Sequence, residues 1–146
     1  MREPKLKKHH PDHPWVGALN LFVNKKGQIL LMKRSKSTKV YPNTWGLVGG
    51  FLDWGETGSE GAEREAQEEI GVKVKAERFT GHFYNTSHPY KIIVISLPFY
   101  SKIVSGRPHP SQPEECSEVK WFYPKEIRRL ELAYDHKQIL EDEKLI

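Results

Sequence analysis

The stretch that most constrains this chain is residues 57–71, which carries its own start signal, stop signal and apolar stripe. Thr57 is followed three residues later by Glu60, the pattern of a capping box. Ala62, Ala66 and Ile70 recur at four-residue steps, and Gly71 follows as a natural helix stop. Together these predict a helix over residues 57–70 with one face turned to a core. Gly58 and Gly61 oppose it by about 1 kcal/mol each relative to alanine, so packing must supply the difference.

The same helix carries Glu65, Glu68 and Glu69. At about 100° per residue, Glu68 falls about 60° to one side of Glu65 and Glu69 about 40° to the other, so the three carboxylates share a face. Each like-charge pair costs roughly 0.2–0.5 kcal/mol on an exposed helix, which a solvated acidic surface tolerates. The arrangement also suits a hard dication, which wants anionic oxygens from one rigid element; Mg²⁺ is the natural choice and Mn²⁺ a substitute. Residues 50–72 carry seven acids against one base, a net −6, whereas the whole chain is +4. An acidic focus in a basic body fits a cation site in a field that attracts polyanions, although a solvated acidic helix fits the same charges. Arg64 either pairs with Glu60 four residues earlier or fixes the rotamer of Glu65 with its fork. Gly49 and Gly50, just ahead of the helix, either make a tight bend or let backbone approach a metal or phosphate.

The rest of the chain frames that helix. Its 146 residues, 37% hydrophobic and 29% charged, suit one globular domain. The longest apolar stretch, residues 92–100, is broken by Ser96 and Pro98, which excludes a membrane-spanning helix. Residues 1–14 read as a flexible basic arm with no apolar core, so no signal peptide is expected there; Pro11 and Pro14 interrupt its histidines. Cys116 is the lone cysteine and cannot form an internal disulfide, which points to the cytoplasm. Strands are expected at residues 15–23 and 28–34 around an Asn24–Gly27 turn, and at 45–51, 72–74, 77–84, 90–103 and 119–123. A helical turn is expected at 124–129 and a second helix from Asp135 to the end. This mixture predicts an α+β fold or mixed-sheet sandwich.

Gly50, five residues, Glu56, seven residues, then Arg64-Glu65-Ala66-Gln67-Glu68-Glu69-Ile70-Gly71-Val72 resembles the full Nudix box, G-x5-E-x7-R-E-U-x-E-E-x-G-U with U aliphatic. All seven invariant letters match, a coincidence expected roughly once in 10⁸ starting positions at ordinary residue usage. Ala66 is small for an aliphatic slot, and Val48 stands where many relatives have proline. The resemblance covers about residues 15–142. It implies a Nudix-type α/β/α sandwich around a mixed sheet, a single domain over residues 15–146, and hydrolysis of a nucleoside diphosphate linked to another group. It implies that Glu68 and Glu69 ligate metal with the Gly49 or Gly50 carbonyl, and that Glu65 ligates metal or acts as base. Arg64 would then orient Glu65, and Glu56 would support the loop. A further acid is expected from the loop before the late strand, with Glu115 ahead of Glu114 and Glu118. One to three Mg²⁺ ions would bridge carboxylates and diphosphate while water attacks one phosphorus in line.

Selectivity lies outside the box. Lys33 and Arg34, at the end of the second strand, are the expected phosphate or ribose contacts, or simply that strand's polar finish. Phe22, Tyr84 and Tyr90, with Trp15, are the aromatic candidates for stacking on a base. The Gly-Gly-Phe-Leu-Asp-Trp-Gly-Glu entry and the Leu132-Ala133-Tyr134-Asp135-His136 tail look like those of small ADP-ribose pyrophosphatases. Pro89 agrees, while Tyr90 is also a dinucleoside polyphosphate marker. ADP-ribose or another NDP-sugar therefore ranks ahead of a nucleoside triphosphate, a dinucleoside polyphosphate, capped RNA or a non-catalytic sensing role. The expected partner is a small nucleotide rather than a nucleic acid or a membrane, with a homodimer as the ordinary oligomer of such enzymes. His82, His88, His109 and His136 receive no role.

Overall fold

Alternation along the strands decides the architecture. In the computed structural model, which describes residues 14–87 and 93–146, β1 (Trp15–Leu21), β2 (Ile29–Arg34), β3 (Trp45–Gly46) and β4 (Val48–Phe51) precede α1 (Gly58–Ile70). Then follow β5 (Lys73–Phe79), β6 (Tyr84–Ser87), β7 (Ile93–Ser105), β8 (Cys116–Phe122), α2 (Pro124–Ile127) and α3 (His136–Asp142). One sheet runs β4-β1-β7-β5, with β6 also on β7; a second runs β3-β2-β8. β1 and β7 are parallel and the other pairs antiparallel, so the larger sheet is mixed.

Successive side chains take opposite faces. Leu30, Met32 and Phe22 join a core cluster with Ala66 and Ile70 of α1. Ile29, Leu31, Leu19 and Leu21 join another with Ile127 of α2 and with Ile139 and Leu140 of α3. Helices thus cover both faces, and the molecule is an α/β/α sandwich with a mixed sheet.

The box helix forms as its punctuation requires. Thr57 Oγ1 accepts the Glu60 N–H at 3.2 Å and the Glu60 carboxylate accepts the Thr57 N–H, closing the capping box. Gly71 ends the helix with φ 68°, and its N–H donates to the Gln67 carbonyl. Ala62, Ala66 and Ile70 are fully buried.

Three expectations change. The strand expected over residues 45–51 breaks at Leu47, where the chain passes from one sheet to the other. Residues 72–84 form one strand, β5, and then β6 after a turn with φ 89° at Gly81. Asp135 stands at the N-cap of α3 without a capping bond, its Oδ1 accepting from Ser96 Oγ at 3.3 Å. The basic arm, apart from its last residue, lies outside the described residues, as do His88, Pro89 and Tyr90.

Candidate active site

Arg64 organises the box. Its Nε and Nη2 donate to Glu56 Oε2 and Oε1 at 2.7 and 2.9 Å, a two-pronged clamp that a point charge cannot reproduce. Nη1 donates to Glu65 Oε1 at 2.7 Å and to Glu68 Oε2 at 3.2 Å, while Nη2 also reaches the Phe51 carbonyl at 3.0 Å. Asp53 Oδ2 lies 3.1 Å from Nε. Glu60 is taken by the helix cap, so the pairing with Arg64 that sequence spacing allowed does not form. The Glu56 hydrogen bond, opposed by burial and reinforced by Glu65, raises the Arg64 pKa above its ordinary value, so the guanidinium stays charged.

Glu65 and Glu69 are both at 0% exposure, a placement carboxylates tolerate only with strong partners. Arg64 serves Glu65. Glu69 Oε1 accepts the Gly49 N–H at 3.0 Å, tying the helix to β4. Gly50 faces Glu65 so closely that a Cβ there would stand 2.6 and 2.7 Å from its carboxylate oxygens. Asn20 Nδ2 bridges the Val48 and Ala62 carbonyls at 3.0 and 2.9 Å, locking the same helix to the same strand.

Glu115 lies in the loop after β7, half-buried. That loop docks on the C-terminal end of α1: the His109 and Ser111 N–H groups donate to the Ile70 and Glu69 carbonyls at 3.1 and 3.0 Å. From the other side, Ser35 N–H donates to the Glu115 carbonyl and Ser35 Oγ to the Glu114 carbonyl, at 3.0 and 2.6 Å.

The selectivity candidates disperse. Arg34 is 2% exposed, and its Nε and Nη2 both donate to the Val40 carbonyl at 3.0 and 2.7 Å. There it braces the loop after β2. Lys33 pairs directly across from Trp45, on the face opposite α1, with its ammonium 5.9 Å from that ring. Tyr84 packs against the α3-side core, with burial and then Asp142 pushing its pKa up to about 12. Both are therefore turned away from the box helix. Phe22 does lie on the α1 side. With Trp121, Glu77, Lys102 and Ile103 it lines a cleft of about 300 Å³, and Phe22, Ile103 and Trp121 belong to the cluster that backs α1.

Asp53, Asn20 and Trp121 received no site role from sequence. Asn20 carried a usable signal, a buried amide in an otherwise apolar strand. Asp53 and Trp121 carried none, because their partners are distant in the chain.

The donor set fits a hard divalent cation: three carboxylates on one helix beside the Gly49–Gly50 backbone, with no soft ligand among them. Among the described residues no three acidic, histidine or cysteine side chains form a ready-made metal cluster. Mg²⁺ does not require one, since it is commonly held by one or two carboxylates and completes its shell with water and substrate phosphate.

The Nudix domain family model matches residues 13–142, and the chain belongs to the Nudix family, hydrolases that act on phosphoanhydride bonds and use divalent metal ions. It is 29% identical over 130 residues to an ADP-ribose pyrophosphatase of Methanocaldococcus jannaschii, covering 89% of this chain and 73% of that one. It is 30% identical over 127 residues to a MutT-like protein of Streptomyces ambofaciens, covering 87% and 75%. The crystal structure of a MutT protein from Methanosarcina mazei Go1 superimposes with a TM-score of 0.76 at 25% identity, covering 90% of this chain and 94% of that one. None of the described helices is long and apolar enough to cross a membrane.

Proposed function

We propose that residues 15–146 form a Mg²⁺-dependent pyrophosphohydrolase that opens the diphosphate of ADP-ribose or another nucleoside diphosphate sugar. The observation that carries this reading is the group formed by Glu65 and Glu68 on Arg64 together with Glu69 on the Gly49 N–H, with Gly50 packed against Glu65.

Each residue has a stated task. Glu69, held by the Gly49 N–H, and Glu68 present oxygens to the cation. Glu65 either joins them or accepts the proton of the attacking water, in a rotamer fixed by Arg64. Glu56 and Asp53 hold Arg64 in place. When bound, Mg²⁺ supplies charge neutralisation for the diphosphate and activation of water. Glu115 supplies a further acid from the loop docked on α1. The cleft beside Trp121 takes the nucleoside: the partly buried indole suits a planar base, and Glu77 and Lys102 offer an acceptor and a cation.

The name of the Methanocaldococcus relative, at 29% identity, supports ADP-ribose, and the MutT-like name, at 30%, supports a nucleoside triphosphate as second reading. A panel of ADP-ribose, other NDP-sugars, dinucleoside polyphosphates, nucleoside triphosphates and capped RNA, with phosphate products identified, separates them. Fastest turnover of an NDP-sugar to a nucleoside monophosphate and a sugar phosphate is the expected result. Preferred release of pyrophosphate from a triphosphate would replace it with the MutT-like reading.

A further inference from the structure

Leu47 stands between Gly46 of β3 and Val48 of β4, where the chain leaves one sheet for the other. The residue is 1% exposed, and a buried amide N–H left unmet costs about 1–3 kcal/mol. Its acceptor comes from the far end of the chain: His136 Nδ1, at 3.0 Å.

The packing around His136 sets that bond, with its Nε2 buried and without a hydrogen-bond partner among the described residues. His136 is 2% exposed, and burial followed by the charge of Arg34 pushes its pKa down to about 3, so the ring is neutral. Because Nδ1 accepts, the hydrogen-bond pattern assigns the proton to Nε2. A Cβ on Gly46 would meet Nδ1 at 2.9 Å, so a larger residue there would disturb the approach of the ring. The segment before His136 is laid against β3: Trp45 N–H donates to the Glu131 carbonyl at 3.0 Å and Ala133 N–H to the Trp45 carbonyl at 2.8 Å. His136 therefore reaches Leu47 in register. Two residues after Leu47 comes Gly49, whose N–H holds Glu69, and then Gly50, which admits Glu65.

We propose that His136 is a positioning residue of the active site, acting through the Leu47 amide to set the Gly49–Gly50 segment against Glu69 and Glu65. This inference rests on the reading of that segment as part of the hydrolytic centre. His136 itself touches no substrate in it. What matters is the acceptor at Nδ1, and not only the volume of the ring.

The test uses the full chain with two variants. His136→Asn keeps an acceptor near the position of Nδ1, and His136→Leu fills comparable space without one. Amide hydrogen exchange at Leu47 and Gly49 is measured by NMR against the amides of β7, and kcat and KM are measured for Mg²⁺-dependent hydrolysis of ADP-ribose. His136→Leu is expected to speed exchange at both amides about tenfold or more relative to β7, with a similar loss in kcat and little change in KM. His136→Asn is expected to restore exchange and kcat to within about threefold of wild type. Equal losses in the two variants, unchanged exchange at Gly49, or wild-type kcat in His136→Leu would each overturn the proposal. If His136→Leu does not fold, His136→Asn decides: wild-type exchange at Leu47 and Gly49 supports the positioning role, and fast exchange refutes it. The exchange measurement needs no substrate, so a wild-type chain that cleaves nothing in the panel would defeat the proposed function while leaving the Leu47 contact separately measured.

Discussion

Glu69 and Gly49, twenty residues apart, are joined by a single hydrogen bond of 3.0 Å from backbone to carboxylate, and through it the helix that bears the acids is fastened to the strand that faces them. A carboxylate that accepts a buried N–H is oriented by it. Three of the predictions below follow from that fastening and from the Arg64 network beside it.

Glu69→Gln keeps an oxygen for the Gly49 N–H and removes the negative charge. Turnover with Mg²⁺ is expected to fall by about a hundredfold or more, while circular dichroism and thermal melting stay close to wild type. Retained turnover would remove Glu69 from the metal-binding group.

Arg64→Lys keeps the charge and loses the fork. Glu56 then loses one of the two bonds that Arg64 gives it, and Glu65 is left buried beside a mobile ammonium. The expected outcome is a loss of about 1–3 kcal/mol in denaturant unfolding, together with a drop in kcat larger than any change in KM. Unchanged unfolding would mean that water already does much of the work assigned to the guanidinium.

Gly50→Ala places a methyl group against the Glu65 carboxylate. The side-chain end of Glu65, rather than the strand backbone, must give way and leave the rotamer that Arg64 holds, so the expected result is a folded protein whose Mg²⁺ requirement rises. Metal titration of activity measures it, and a crystal structure of the variant with Glu65 undisturbed would contradict it.

Trp121→Ala opens the cleft it shares with Phe22. If the nucleoside stacks there, KM for ADP-ribose rises by about tenfold, near the worth of one aromatic contact, with kcat less affected. An unchanged KM moves the base elsewhere.

Stability should depend on pH through His136. Its folded pKa lies near 3 against an ordinary 6.5, chiefly through burial and then Arg34, and its ring lies 5.6 Å from that of Tyr134. Above pH 6.5 neither the folded nor the unfolded state is protonated there, and the contribution is flat. Below 6.5 the unfolded chain takes up a proton that the folded one refuses, so stability falls by about 1.4 kcal/mol per pH unit until the folded pKa is approached. The difference in slope between wild type and His136→Asn, from unfolding curves at pH 5 to 7.5, isolates this residue from the carboxylates.

Much of the site was legible before any coordinates. Thr57, Glu60, Ala62, Ala66, Ile70 and Gly71 are related by separations of three to five residues, and such neighbours meet on a helix whatever the rest of the chain does. The shared face of Glu65, Glu68 and Glu69 follows from the same arithmetic. Lys33 shows where that reasoning stops. Its position at the end of a strand was visible, but the face it occupies depends on how β2 sits between β3 and β8.

By itself, then, the order of residues determined the box helix, its caps and its acidic face, because each is a short-range periodic property; the sandwich with helices on both sides was implied by the resemblance to the Nudix box. Only the tertiary structure decided that Arg64 takes Glu56 and not Glu60, that Gly49 holds Glu69, that Arg34 braces a loop, and that His136 meets Leu47. Those partners are brought together by strand order and by the passage from one sheet to the other at Leu47. Neither leaves a local trace in the sequence, since what selects a buried polar partner is the free energy of the whole packed arrangement.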